Sequence, residues 1–208
     1  MSSIRTPRQK RGIDTKERIT KAAMALFAER GIHGTTSKQI AKKAGVSIGS
    51  FYSYFKNKEK LLIEMLEDYV ENHYDAVWQA LGSLRMETLG RNDLRTLILG
   101  VFNAYELAPE FHRQTHALRY TDPDIKRIYD REREREVRQI QFLIEQNAGH
   151  MVPVKDSRAV AMVIHNAVEN VAHTAKFYGT DISETALADA LADMIAGLLL
   201  GNTLSAIK

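Results

Sequence analysis

The stretch that most constrains this chain is Thr35 to Lys60, TTSKQIAKKAGVSIGSFYSYFKNKEK. It places helix starts, a helix stop and a dense aromatic cluster within a few turns of one another. Thr36 or Ser37 can cap a first short helix, because a hydroxyl there accepts an N–H that has no partner inside the helix. Ile40, Ala41 and Ala44 give that helix an apolar face, and Gly45 stops it with the left-handed backbone that glycine adopts at no steric cost. Ser47 caps the next helix, with Val46 before it as a hydrophobic staple. Phe51 and Phe55, four residues apart, share an inward face. The outer face is left with Ile48, Gly49, Ser50, Tyr52, Ser53 and Tyr54, which suits close approach to a large ligand better than solvation. Two short helices around a tight turn make a helix-turn-helix, whose second helix enters the DNA major groove.

Gly45-Val46-Ser47-Ile48-Gly49 also satisfies G-x-S-x-G, the nucleophile elbow of serine hydrolases. That motif needs a strand before it, and the residues ahead of it, Lys38 to Ala44, read as a basic helix. A hydrolase is therefore the weaker alternative, beside a helical interaction protein without DNA.

Charge separates these readings. Residues 1–60 hold 14 Lys and Arg against 4 Asp and Glu, whereas the rest of the chain holds 15 against 22. A basic N-terminal module on an acidic body is the footprint of phosphate binding. Arg5, Arg8, Lys10 and Arg11 form an N-terminal arm over residues 1–13, suited either to DNA contact or to long-range attraction alone. The chain has no cysteine, which fits a reducing, cytoplasmic setting. No apolar run is long enough to span a bilayer.

The first sixty residues resemble the DNA-binding region of the TetR (tetracycline-repressor-like) family. The resemblance lies in the glycine pair before Thr35, the AxxAGVS turn, the FYxYF cluster and Lys56-Asn57-Lys58-Glu59. It implies an all-α homodimer of about nine helices that binds a palindromic operator and releases it when a small molecule enters the C-terminal domain. The expected division is a DNA-binding domain over 1–57 and an effector-binding and dimerisation domain over 58–208. By the same resemblance Ile48, Gly49, Ser50, Tyr52 and Ser53 face the groove and Lys38 faces a guanine. Thr36, Ser37, Ser47, Tyr54, Lys56 and Lys58 then hold phosphates. No Arg, Asn or Gln occurs from Ser47 to Tyr54, so DNA shape should carry much of the specificity.

Beyond residue 57 the periodicity is helical throughout. A long helix is expected from Asn57 to about Leu81, and a break over residues 82–92. Helices follow from about Leu94, Pro109 and Asp122, then over 156–178 and 183–200. The alternating run from Arg131 to Glu136 reads as a solvated helix face. The last helix is apolar nearly all round, which marks a partner surface. Ala161, Ala172, Ala175, Ala188, Ala192 and Ala196 are the small residues expected to let the last two helices pair between subunits. Aromatic and polar groups beside the apolar stripes nominate an effector pocket: Tyr74, Trp78, Phe102, Tyr105, His112, His116, Asn166, Glu169, Asn170 and His173. Such a lining, with Glu169 its one charge, suits a largely apolar or weakly cationic molecule. His112 and His116 stand four apart, but no H-E-x-x-H motif accompanies them, and neither a metal nor a cofactor is expected.

Overall fold

A computed structural model describes residues 10–79 and 89–201, and among these there are nine α-helices and no strand. They are α1 (Lys10–Arg30), α2 (Ser37–Lys43), α3 (Ile48–Tyr54), α4 (Lys58–Gln79), α5 (Arg91–Ala104), α6 (Pro109–Leu118), α7 (Pro123–Gln146), α8 (Ser157–His173) and α9 (Glu184–Leu200). The helix α1 begins inside the arm expected over residues 1–13, so Lys10 and Arg11 are helical. Arg5 and Arg8 lie outside the described residues, as does most of the expected break over 82–92. No helix among the described residues is long and apolar enough to cross a membrane.

The chain forms two compact units. The first comprises residues up to Tyr69 together with Glu110–Ile128; the second comprises Val70–Pro109 and Tyr129 onward. This differs from a boundary at residue 57, and the reason is α6. Phe111 is buried, stacks on Phe27 with ring centroids 6.5 Å apart, and meets Tyr69 edge-on at 5.8 Å. Gln114 accepts from the Ile32 N–H at 2.9 Å and donates to the Phe27 carbonyl at 2.9 Å. These contacts make α6 part of the helix-turn-helix unit.

Within that unit Ile19, Phe27, Ile40, Phe51 and Leu61 are fully buried. The turn between α2 and α3 is held from α1, where Arg18 Nη2 donates to the carbonyls of Ala44 at 2.6 Å and Gly45 at 2.9 Å. Gly45 has φ +64°, and a Cβ there would stand 2.9 Å from that same Arg18 nitrogen. Gly45→Ala is therefore expected to lower stability by about 1–2 kcal/mol, read as a lower urea midpoint at unchanged slope.

In the second unit α5 packs along α9, with α8 beside both. Ala161, Ala172, Ala188 and Ala192 are all buried in this unit's own core. Those alanines therefore serve contacts within the chain, correcting their expected place between subunits. The large apolar residues of α8 and α9 left exposed are Val163, Met194 and Leu198. The helix α8 ends in a π-helical turn, Thr174–Tyr178.

Candidate DNA interface and effector cavity

The two short helices form as their local chemistry dictates. Thr36 caps α2 by accepting the Gln39 N–H at 3.3 Å, and Gln39 Oε1 accepts the Thr36 N–H at 2.8 Å, a reciprocal capping box. Ser47 caps α3, its Oγ accepting the Ser50 N–H at 3.0 Å. With a helix before it and no strand among the described residues, Ser47 is a cap, and the nucleophile-elbow reading falls.

The helix α3 divides cleanly by burial. Phe51 is buried, as is Phe55 just beyond the helix, their rings 5.9 Å apart, while Ile48 and Tyr52 are 41% and 50% exposed. Lys38, Ser47, Gly49 and Lys56 are exposed too, and Ser37, Ser50 and Ser53 are half-buried. Two residues expected at phosphates depart from that pattern. Tyr54 is buried in the core. Lys58 Nζ donates to the carbonyls of Ile32 at 2.7 Å and Thr35 at 2.8 Å, so its ammonium is committed to the α1–α2 loop. Thr36 is exposed, but its hydroxyl works first as the cap.

The second unit encloses an apolar cavity of about 110 Å³. Its walls come from α5 (Leu94, Leu97, Ile98, Val101), α7 (Ile140, Leu143, Ile144), α8 (Ile164, Val168) and α9 (Ile195, Leu199), with Val77 and Trp78 from α4. Four polar groups interrupt them: His73, Glu136, His165 and Glu169. Of the residues nominated from sequence, only Trp78 and Glu169 line this cavity. Tyr105 and His173 stand behind Glu169: Tyr105 Oη donates to Glu169 Oε2 at 2.7 Å, and His173 Nε2 lies 3.3 Å from Oε1. Phe102 is sealed in the core. Tyr74 lies under the Arg135 guanidinium, 3.4 Å from its ring centroid. Asn166 and Asn170 are exposed on α8. His112 and His116 belong to the first unit, their rings stacked at 5.3 Å, and His112 packs on Tyr69.

The electrostatics of the cavity are uneven. His165 Nδ1 lies 3.3 Å from Glu136 Oε2. Burial pushes the Glu136 carboxyl well above the usual carboxylate range, and the neighbouring charges of Glu169 and Glu132 push the same way. Burial opposes ionisation of Glu169 too, but there the hydrogen bonds and charge from His173, then Tyr105 and His165, prevail and hold it well below that range. Burial depresses His73. The cavity thus lines up one carboxyl whose surroundings favour the anion and one whose surroundings favour the protonated acid.

Sequence reasoning missed His73, Glu136 and His165. A signal was present for Glu136. In α7, Ile128, Glu132, Glu136, Ile140 and Ile144 follow one another at steps of four, so two acids sit in the row that carries the buried isoleucines.

Comparison with known proteins places this architecture. The sequence profile of "Bacterial regulatory proteins, tetR family" matches residues 19–65. The HTH-type transcriptional repressor KstR2 of Mycolicibacterium smegmatis is 31% identical over 115 residues, which is 55% of this chain and 52% of that protein. The match thus spans about half of that relative's length. Among solved structures, one described as a TetR-family transcriptional regulator from Mesorhizobium loti superposes with a TM-score of 0.75 at 22% identity, over 92% of this chain and 99% of that one. A transcriptional regulator from Saccharomonospora viridis, solved with choline, gives 0.72 at 20% identity over 89% and 97%. At such identities the structures speak for the fold, while the profile and the repressor relative speak for the module. The helix-turn-helix module over residues 19–65 thus matches that of the bacterial regulatory proteins of the tetR family, and the fold of the chain is the one those solved regulators share.

Proposed function

We propose that this protein is a repressor that holds a palindromic operator as a homodimer and releases it when a small molecule occupies the cavity of the second unit. The observation that carries the DNA half is the division of α3. Its core residue Phe51 fixes the helix, while Ile48, Gly49 and Tyr52 stand outward beside exposed Lys38 and Lys56. Groove-facing roles for Ile48, Gly49, Ser50, Tyr52 and Ser53, and phosphate roles for Ser37, Ser47 and Lys56, rest on this exposure and on the family pattern. Pairing through α8 and α9 is supported by exposed Val163, Met194 and Leu198, which leave an apolar surface on one chain.

The cavity supports the effector half. A small space with apolar walls and a few convergent polar groups is the usual form of a ligand site, and a neighbour of the same fold was solved with choline. The helix α4 gives a mechanical route, because His73, Val77 and Trp78 line the cavity while its first turn carries Lys58. A hundredfold loss of operator affinity needs about 2.7 kcal/mol of differential binding between two states of that helix.

Sedimentation with a duplex from the chain's own upstream region tests the reading. Two chains per duplex are expected, with Tyr52→Ala weakening the complex at least tenfold while the thermal midpoint stays put. One chain per duplex, or full affinity in Tyr52→Ala, would overturn it.

A further inference from the structure

We propose that the molecule this cavity takes is a hydrophobic cation, an apolar body bearing one ammonium group that seats between Glu136 and Glu169. The inference rests on the effector reading above and narrows it to a chemical class. The walls are almost wholly aliphatic, so burial of an apolar body supplies the attraction. The polar equipment is acidic: both carboxyl groups line the same space, and the charge of Glu169 raises the cost of ionising Glu136. An anionic ligand would meet Glu169 as a like charge in a medium too apolar to screen it. An ammonium group meets attraction from Glu169 at once and turns the burial cost of Glu136 into a second attraction.

The groups facing Glu136 determine the proton balance. They are His73 from α4, Glu132 and Arg135 from α7, and His165 and Glu169 from α8, whereas α5 and α9 present only apolar side chains to the cavity. In the empty cavity burial and the charge of Glu169 favour the protonated form of Glu136. When the cation arrives, that proton passes to the buffer and Glu136 becomes a carboxylate beside the ammonium. Binding of the cation should therefore be accompanied by proton release, of at most one proton per chain.

The test uses three molecules with one apolar body: 4-phenylbutylamine, 4-phenylbutan-1-ol and 4-phenylbutanoate. Binding to the full chain is followed by emission of Trp78, the single tryptophan, and by calorimetry in phosphate and in Tris. The amine should bind at least tenfold more tightly than the alcohol, with the carboxylate weakest. Its heat should differ between the buffers in the sense of proton release. In the double variant Glu136→Gln, Glu169→Gln the ratio of amine to alcohol affinity should fall to about one. That ratio is taken within a single protein, so partial loss of fold does not imitate it. The alcohol or carboxylate binding as tightly as the amine would overturn the proposal. So would a ratio that survives in the double variant, or no binding by any of the three. If the amine is preferred but leaves an operator duplex bound in a parallel gel shift, the ligand class stands and the repressor reading fails.

Discussion

Replacing Lys58 by Met is expected to destabilise the protein by about 2–4 kcal/mol and to weaken operator binding only through that loss. Lys58 Nζ donates to the carbonyls of Ile32 at 2.7 Å and Thr35 at 2.8 Å, which fastens the first turn of α4 to the loop ahead of α2. Thr35 is itself 1% exposed, and its hydroxyl donates to the Gly31 carbonyl at 2.9 Å. A hydrogen bond from a charged donor contributes about 1.5–3 kcal/mol, and a carbonyl left unpaired away from water costs about 1–3 kcal/mol more. Methionine keeps the length of the stem and removes only the ammonium, so little of the loss is packing. A phosphate-binding Lys58 makes the opposite forecast. Stability would be unchanged, and the slope of log affinity against log salt would become about one unit shallower. Urea unfolding together with a salt titration separates the two: an unaltered midpoint with a shallower slope would refute the internal role. Exposed Lys38 and Lys56 are the better cations for the salt dependence.

The Lys58 case shows which parts of this protein can be read from its sequence. The caps at Thr36 and Ser47 were legible because each is made within three residues of itself, by chemistry that short spacing dictates. The burial of Phe51 and Phe55 was legible because four residues is one turn of helix. Lys58 reaches across 26 and 23 residues to its partners, and Gln114 across 82 to Ile32. Nothing in the local spacing distinguishes those side chains from solvated ones. The same gap hid the packing of α6 into the first compact unit, since Phe111 shows a core residue but not which core.

The cavity was half legible for a different reason. Trp78 and Glu169 stood out as unusual groups beside apolar stripes, and both line it. Asn166 and Asn170 are exposed, and a helical wheel gives a face but not what covers it. The run from Arg131 to Glu136 was read by composition as a solvated face, and for Arg131 and Arg133 that is right. Position mattered more than composition for Glu132 and Glu136. Their steps of four from Ile128 and Ile140 place them in the buried row despite the charge around them.

Glu132 turns that misplacement into a measurable cost, because stability should fall as pH rises and Glu132→Gln should remove much of the fall. Glu132 Oε1 is buried with no hydrogen-bond partner among the described residues, and Oε2 is 3.8 Å from Arg135 Nη1. Arg135 is already engaged by Glu71 at 2.6 Å and 3.1 Å, so it offers Glu132 little. Burial pushes the Glu132 carboxyl up to about 7, opposed by Arg135 and assisted by Glu71 and Asp75. The sign follows from the direction of that shift. Below the ordinary value of 4.5 the carboxyl is protonated folded and unfolded alike, and pH has no hold on stability through it. Between there and about 7 the unfolded chain gives up the proton while the folded chain keeps it, so stability declines. A shift of this size corresponds to at most about 3 kcal/mol. Partial solvent access reduces that to about 1–3 kcal/mol at pH 8. Glu132→Gln should therefore match the parent at pH 4.5 and exceed it by that amount at pH 8, measured by urea unfolding. Glu136 persists in the variant with its own raised proton affinity, so the decline with pH becomes shallower without vanishing. Parallel curves for parent and variant would mean that Glu132 is solvated as its neighbours are. A steeper decline in the variant would mean that ionised Glu132 stabilises the fold through Arg135. The shallower curve alone would show that α7 carries an acid in its buried row at a cost to the fold, one turn from the carboxyl that faces the cavity.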